Sequence, residues 1–343
     1  MGVIPVSLRS YVITRILLTI PMIMFLLTLV FFILRVIPGD PALLHFEKNV
    51  DPETLAIFRH RLGLDVPIWQ QYINYLVGLL HGDFGKSMYD YEPIANHIAD
   101  RFPATLELAI YSMIFAVLLG VALGVKSAKS YDKPSDHGIR LFGIVTYAIP
   151  VFFLGMILQS IFGFWLGVLP VNGMFDTRFD QYRPTRITGM MTFDALLTGN
   201  LTGFFVALRY LILPTVTLGT ILCGIFIRLT RTNMLETLRV DFVVAGEARG
   251  LSSGTITYSY ALRNAFLPIL TMIGLQFATL LAGAVLTETT FEWLGLGTYL
   301  VDRIEHRDYT GIQGVVVFFG ILVTFVTLIM DLLYAYLDPR VRL

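Results

Sequence analysis

The sequence predicts an all-α integral membrane protein with about six transmembrane helices. Three observations point there: the apolar excess, the scarcity of charge, and the way uncharged runs recur at membrane-spanning length. Of 343 residues, 55% are hydrophobic and 15% are charged, and the mean hydropathy is +0.71. A soluble domain carries about 25% charged residues, so this apolar content exceeds what one buried core can hold and requires lipid as solvent.

A helix needs about 20 apolar residues to cross roughly 30 Å of hydrocarbon. Six stretches meet or approach that length: 16–34, 105–125 (uncharged from 108), 141–169, 210–227, 266–287 and 310–330. The third is too long to cross upright and must tilt, or bend near Pro150 and continue to the outer surface. Pro214 inside the fourth is tolerable where packed neighbours satisfy the freed carbonyl. The first stretch is longer than the apolar core of a signal peptide and is not followed by a small-residue cleavage pattern, so it reads as a retained anchor.

Orientation follows from the basic residues. With the N-terminus inside, the inner segments hold Arg9, Arg15, Lys126, Lys129, Lys133, Arg140, Arg228, Arg231, Arg239, Arg249, Arg263, Arg340 and Arg342. These 13 of the 25 Lys and Arg residues fall in about 75 positions and the other 12 in about 137, so the positive-inside rule places both termini in the cytoplasm. Three segments then face outward, 35–103, 170–209 and 288–309. The first contains a helix over 51–62, opened by Asp51-Pro52-Glu53, and an amphipathic one over 67–80 with Trp69, Tyr72 and Leu76 on one side, ended by Gly82-Asp83-Phe84-Gly85. The second, rich in Gly, Thr and Arg, reads as an irregular lid. No internal repeat or low-complexity tract divides the chain, so 1–343 is expected to form one transmembrane domain.

Several chemistries lack their residues. The single cysteine, Cys223, lies in an apolar run, and the six histidines show no pair at ligand spacing, so no metal site is expected. Zero net charge gives no basic field for nucleic acid. Gly85-Lys86-Ser87 resembles the end of a phosphate-binding loop, but position 80 is Leu80 where that loop needs glycine. No catalytic grouping stands out, and the chain is expected to have no ATP site of its own. Glu107 and Asp331 flank apolar runs, where a structural role is cheaper than a substrate contact. Gln159 and Gln276 lie deeper; with Asp331 they are candidates to line a pathway, although interhelical hydrogen bonds explain both glutamines equally. Gly120 and Gly124 read as a close helix contact, and Asn200-Leu201-Thr202 as a chance glycosylation pattern.

The longest inner loop, 229–264, carries the most information. Val244, Ala248 and Leu251 fall at i, i+4 and i+7, beside Glu247 and Arg249, and Gly250 can adopt the left-handed conformation that stops a helix. A second short helix is expected over 252–264. A short amphipathic helix below the bilayer suits a partner's groove; the same pattern suits a helix lying on the headgroups. Periodicity does not choose between them.

Here the chain resembles the permeases of ABC importers, whose coupling motif has E-A-A before a spaced glycine. Counted back from Gly250 those positions are Val244, Ala245 and Gly246, with Glu247 adjacent to the place of the acid. The dipeptide/oligopeptide/nickel branch departs from that motif too, reading like A-K-G-L and then A-L-R-N. This chain has Ala248-Arg249-Gly250-Leu251 and Ala261-Leu262-Arg263-Asn264. Arg35-Val36-Ile37-Pro38-Gly39-Asp40-Pro41, Leu62-Gly63-Leu64-Asp65, Gly82-Asp83-Phe84-Gly85, Thr105-Leu106-Glu107-Leu108, Ile149-Pro150-Val151-Phe152, Leu213-Pro214, Leu281-Ala282-Gly283 and Leu337-Asp338-Pro339-Arg340 are similar to that branch in order and spacing. The long second outer segment looks most like the B-type dipeptide subunit. The resemblance implies a type I importer permease in a prokaryotic plasma (inner) membrane. It also implies coupling to ATPases through Val244, Ala245, Gly246, Glu247, Ala248, Arg249, Gly250 and Leu251. The implied partners are a second homologous permease (a heterodimer), two cytoplasmic ATPases that hold ATP and Mg, and an extracytoplasmic binding protein, with di- or oligopeptide as cargo. Oligosaccharide and nickel-chelate carriers of the same branch remain alternatives. A secondary transporter would need ionisable residues at the midplane or discontinuous helices, and an intramembrane enzyme would need a nucleophile or metal pair; neither set is apparent.

Overall fold

The computed structural model describes residues 8–36, 42 and 50–337. The basic residues Arg340 and Arg342, residues 37–41 of the first resemblance motif and 338–340 of the last lie outside the described residues, as do both termini. Among the described residues five helices are long and apolar enough to cross a membrane, and a bent pair has the length and composition for a sixth.

The first span is α1 (Leu8–Val36), followed by two short helices, α2 (Pro52–Arg61) and α3 (Ile68–Leu80). Asp51 caps α2 as expected, its carboxylate accepting from the Thr54 N–H at 3.4 Å. Tyr72 and Leu76 of α3 face α1, with the Tyr72 ring 5.2 Å from that of Phe31. Trp69 departs from the expected stripe and is exposed.

Helices α4 (Ile94–Lys129) and α8 (Leu201–Thr237) are the spine of the molecule. At 36 and 37 residues each runs to about 54 Å, well beyond the hydrocarbon thickness. Both therefore outgrow the predicted spans. Residues 94–103, expected as loop, are helical because Ile94 and Ile98 are buried against Leu296, Tyr299 and Val315. Residues 229–237, expected to start the inner loop, continue α8 because Thr230 and Met234 remain buried one turn apart. Where the two helices cross, Gly120, Gly124 and Gly219 let the backbones approach.

The third span bends, as its length required. Helix α5 (Pro134–Ala148) and α6 (Val151–Leu158, extended by a π-helical stretch Gln159–Trp165) meet at 105°. Pro150 forces Ile149 into an extended conformation (φ −78°, ψ 130°), which stops α5. Of the two expectations, tilt or a bend near Pro150, the bend is the one found, and it makes this apolar stretch a discontinuous helix. The second outer segment is also more ordered than an irregular lid: it holds a 3₁₀ turn (Thr177–Tyr182) and α7 (Met191–Leu197). Glu107 fixes it there, with the Thr192 and Met191 N–H groups donating to its carboxylate at 2.7 and 3.2 Å, an acid seated at the start of a helix. Asn200 caps α8, accepting from the Gly203 N–H at 2.9 Å and donating to the Tyr182 carbonyl at 2.8 Å, which gives that asparagine a structural purpose.

After α8 comes the short helix α9 (Asp241–Ala248). The expected separate helix over 252–264 does not form. Instead Ser253–Thr255 passes through a π-helical turn, Ile256–Ala261, straight into α10 (Leu262–Gly283), so that 253–282 is one span. Burial of Ile256, Thr257 and Ala261 on one side sustains the helix ahead of the apolar run that begins at 266. The fifth span also ends earlier than 287: Ala284 breaks it before α11 (Val285–Thr290). Helices α12 (Leu296–Glu305) and α13 (Tyr309–Leu337) complete the chain. The main core gathers Leu108, Met113, Leu211, Phe226, Ile269 and Trp293 between α4, α8, α10 and the α11–α12 turn. Among the described residues helix α1 packs chiefly on α3 and α13, through Leu27, Val30 and Val317, and its other face exposes Leu17, Ile20 and Phe25 as a lipid-facing helix would.

Candidate functional site

Helix α9 is a short ledge at the end of the molecule where α8 leaves and α10 begins. Its stop is built as the sequence implied. Gly250 sits at φ +76°, its N–H donates to the Glu247 carbonyl at 2.9 Å, and the Leu251 N–H donates to the Gly246 carbonyl at 3.1 Å. This pair of bonds is the Schellman arrangement, with glycine at the left-handed position. Ser252 opens the next segment, its hydroxyl accepting from the Thr255 N–H at 3.2 Å.

Two residues hold α9 to the body. Val243 and Gly246 are buried, and a methyl group on Gly246 would stand 3.5 Å from Ile256, so Ile256 lies against this face. The remaining residues look outward: Val244 is 64% exposed, and Ala245, Glu247, Ala248, Arg249, Gly250 and Leu251 are exposed with it. The structure thus leaves Val244, Ala245 and Ala248 together on one uncovered, apolar face between Glu247 and Arg249, while Leu251 folds back beside Gly246.

The other sequence candidates are dispersed. The amide of Gln159 donates to the carbonyls of Val171 and Thr290 at 2.9 and 3.0 Å, tying the extension of α6 to the loop at 171 and to the end of α11. Gln276 is half-buried in α10, its amide 3.8 Å from the Met272 sulfur. Asp331 meets Arg15 of α1 at 3.1 Å. No hydrogen bond joins any two of these three among the described residues, so they do not form one lining. Gly85-Lys86-Ser87 is no phosphate cradle: the Ser87 hydroxyl is buried and donates to Asp308 at 2.7 Å. No group of three His, Cys, Asp or Glu side chains that could hold a metal ion occurs among the described residues.

Two clamps that sequence reasoning missed hold the opposite ends. At the α9 end, Arg231 of α8 grips Asp136 of α5 with two hydrogen bonds of 2.8 Å, and Ser127 of α4 donates to the same carboxylate. At the far end, Glu288 of α11 is fully buried and accepts from the Thr105 hydroxyl at 2.6 Å and from the Gly297 and Thr298 N–H groups at 2.7 and 3.1 Å. Gly295 and Gly297 are required there, because a Cβ on either would collide with the carboxylate. Beside it, Arg303 lies between the Tyr89 and Tyr299 rings and pairs with Asp90, Asp302 and Asp308. Their partners lie up to 213 residues away in the chain, beyond any local pattern.

Burial pushes the Glu288 carboxyl up to about 7, against the pull of its three donors. The folded protein therefore holds its proton after the unfolded chain, near 4.5, has lost it. The stabilisation is complete below pH 4.5 and is lost as pH rises to 7, at about 1.4 kcal/mol per pH unit. Hydrogen-exchange protection in the α11–α12 region, with the intrinsic pH dependence of exchange divided out, is expected to fall over that window and to level off above it. Glu288→Gln should flatten the profile; an unchanged profile in that variant would assign the pH dependence elsewhere.

Comparison with known proteins agrees with this architecture. Residues 102–343 match the family described as "Binding-protein-dependent transport system inner membrane component", and residues 8–109 match its N-terminal companion. The chain is 42% identical to the di/tripeptide transport system permease protein DppB of Pseudomonas aeruginosa, over 97% of this chain and 98% of that one. It is 38% identical to the dipeptide transport system permease protein DppB of Escherichia coli K12, again over 97% and 98%. It is 35% identical to the glutathione transport system permease protein GsiC of Salmonella typhi, over 97% and 99%. Matched along almost its whole length, with its apolar helices arranged to cross a bilayer several times, the chain belongs to the inner-membrane permease components of binding-protein-dependent ABC importers, in the peptide-type branch that its motifs resembled.

Proposed function

We propose that this chain moves di- and oligopeptides inward, as one of two homologous permease subunits with the pathway between them. The single observation that carries the coupling part is the uncovered patch on α9. An apolar surface displayed on a satisfied, glycine-stopped ledge is suited to a groove in another protein. In this reading α9 faces the cytoplasm, in keeping with the basic residues around it, and one of two ATPases receives Val244–Leu251 as a joint. ATP and Mg are bound by those ATPases, and this chain contributes no nucleotide site. Nucleotide-driven closure of the ATPases would push α9, and α8 and α10, rooted on either side of it, would carry the displacement into the membrane as a rigid-body rock. The equilibrium shifts only by as much as ATP and the loaded binding protein prefer one state over the other.

The peptide cargo rests on the relatives, two of which are named as permeases for dipeptides or tripeptides and one for glutathione. Selection by the separate binding protein leaves oligosaccharide and nickel-chelate cargo as alternatives, resolved by mass spectrometry of the ligand that the cognate binding protein retains. The joint is tested by cysteine cross-linking. With Cys223→Ser as background, Ala248→Cys is expected to cross-link to a co-expressed ATPase subunit, whereas a cysteine at Trp69 is not. Cross-linking of the Trp69 position alone would remove the reading.

A further inference from the structure

A second feature at the α9 end belongs neither to the ledge nor to the clamps. Between α5 and α8, beside their glycine contact at Gly143 and Gly224, lies an open groove of about 480 Å³. Gly143, Ile144, Tyr147 and Ile225 give it its apolar lining, with Ile144 and Tyr147 open to the surroundings, and Arg140, Arg228 and Arg231 stand along it. Arg231 is committed to Asp136. Arg140 and Arg228 are exposed and have no carboxylate within 4.0 Å among the described residues.

The depth of these two arginines in the sequence is informative. Arg140 immediately precedes the uncharged run from 141, and Arg228 immediately follows the one that ends at 227. Both therefore sit where hydrocarbon gives way to headgroups. From Arg140 to Tyr147 the helix climbs about 10 Å, so the apolar part of the groove extends from headgroup level into the acyl region. Two unneutralised guanidinium groups above an apolar slot match one kind of molecule: an anion with a hydrocarbon tail. A guanidinium offers a planar fork of donors to phosphate oxygens, and basic pockets between helices on the cytoplasmic side suit acidic headgroups. A facing protein helix would have to bring carboxylates to this depth, where they are costly.

We infer that the α5–α8 groove is a binding site for one acidic phospholipid, its phosphate on Arg140 and Arg228 and an acyl chain along Ile144 and Tyr147. The site needs only that the chain spans a membrane, and so stands apart from the peptide and ATPase assignments. A lipid wedged there would brace the inner half of the bent third span against α8.

The test is native mass spectrometry of the full chain, purified with the subunits that accompany it, stripped of lipid and re-exposed to phosphatidylglycerol or phosphatidylcholine. Phosphatidylglycerol is expected to be retained through detergent washing, and Arg140→Gln with Arg228→Gln should cut its retention roughly thirtyfold, at about five- to sixfold for each arginine. Phosphatidylcholine retention should be low and equal in both proteins. Equal phosphatidylglycerol retention in wild type and variant overturns the site. So does competition by tail-free glycerophosphoglycerol as strong as by the whole lipid, which would make it a simple anion site. Protection of an Ile144→Cys probe from a maleimide by a partner permease, independent of added lipid, overturns it as a protein interface. If the double arginine variant does not accumulate, Ile144→Trp, which fills the slot and leaves the charges, decides by the same readout: retention must fall.

Discussion

Alanine at Gly120 or Gly124 is expected to lower the thermal stability of the protein by several degrees, and valine at either to prevent its accumulation in the membrane. The reason is the α4–α8 crossing. A Cβ on Gly120 would stand 2.5 Å from the Phe226 Cβ and 3.1 Å from the Cys223 carbonyl oxygen; one on Gly124 would stand 2.6 Å from the Thr230 Cβ and 3.0 Å from the Ile227 carbonyl oxygen. Backbone lies on the receiving side, so rotamer changes cannot relieve the overlap and the two helices must move apart. In lipid, helix association has no hydrophobic drive to fall back on and depends on this close packing. Overpacking of a tight core costs about 1–3 kcal/mol, and each added methyl here meets α8 one turn apart on α4, so the two substitutions will not be independent. Gly138 supplies the control. It lies in α5 with nothing within 4 Å of a Cβ, so Gly138→Ala should be neutral or stabilising by up to about 1 kcal/mol. Melting curves in detergent, read by size-exclusion fluorescence, separate these outcomes. Wild-type melting of Gly120→Ala and Gly124→Ala would show that the crossing is looser than its geometry.

The parts of this architecture that depend on lipid are legible in the sequence, and the parts that depend on water and distant contacts are not. Uncharged runs mark the spans because charge is excluded from hydrocarbon, and Pro150 and Gly250 mark a bend and a stop because their backbones allow little else. Charge says less about where a helix ends. Arg228 ends an apolar run, yet α8 continues nine residues to Thr237, since Thr230 and Met234 still have a core to enter. A glycine-rich outer segment looked irregular because nothing local shows that Glu107, about 85 residues earlier, receives the start of α7. Trp69 shows the same limit in reverse: it shares a helical face with Tyr72, but α1 covers only part of that face. For the α9 ledge the stripe and the glycine stop were both readable. What no pattern supplied is that Val243 and Gly246 turn inward and leave Val244, Ala245 and Ala248 free. Arg140 and Arg228 counted only toward orientation, because their common groove exists only once α5 and α8 are side by side.

Uptake is expected to fall at least tenfold in Gly250→Val and in Ala248→Lys, with both proteins present at normal levels and ATP hydrolysis by the partner subunits continuing. The two substitutions reach the same joint by different physics. Gly250 holds φ +76°, a conformation that a β-branched residue adopts only with strain of about 1–2 kcal/mol or more. Valine there should break the bonds from the 250 and 251 N–H groups, letting the end of α9 fray and Leu251 leave its place beside Gly246. The space around Gly250 is empty, so any loss comes from backbone and not from a clash. Ala248 offers the complementary case. It is exposed, makes no demand on the fold, and lies at the C-terminal end of a helix, where a lysine is favoured by the dipole. Ala248→Lys should therefore keep α9 intact and fail only because a charged chain now occupies the apolar surface offered to the ATPase. Gly250→Ala, with the smaller strain of a single methyl, should fall between wild type and valine. A lysine variant that transports at the wild-type rate would mean that nothing seats on this face, whatever the valine variant does. A valine variant that loses transport alone would reduce α9 to a spacer between α8 and α10.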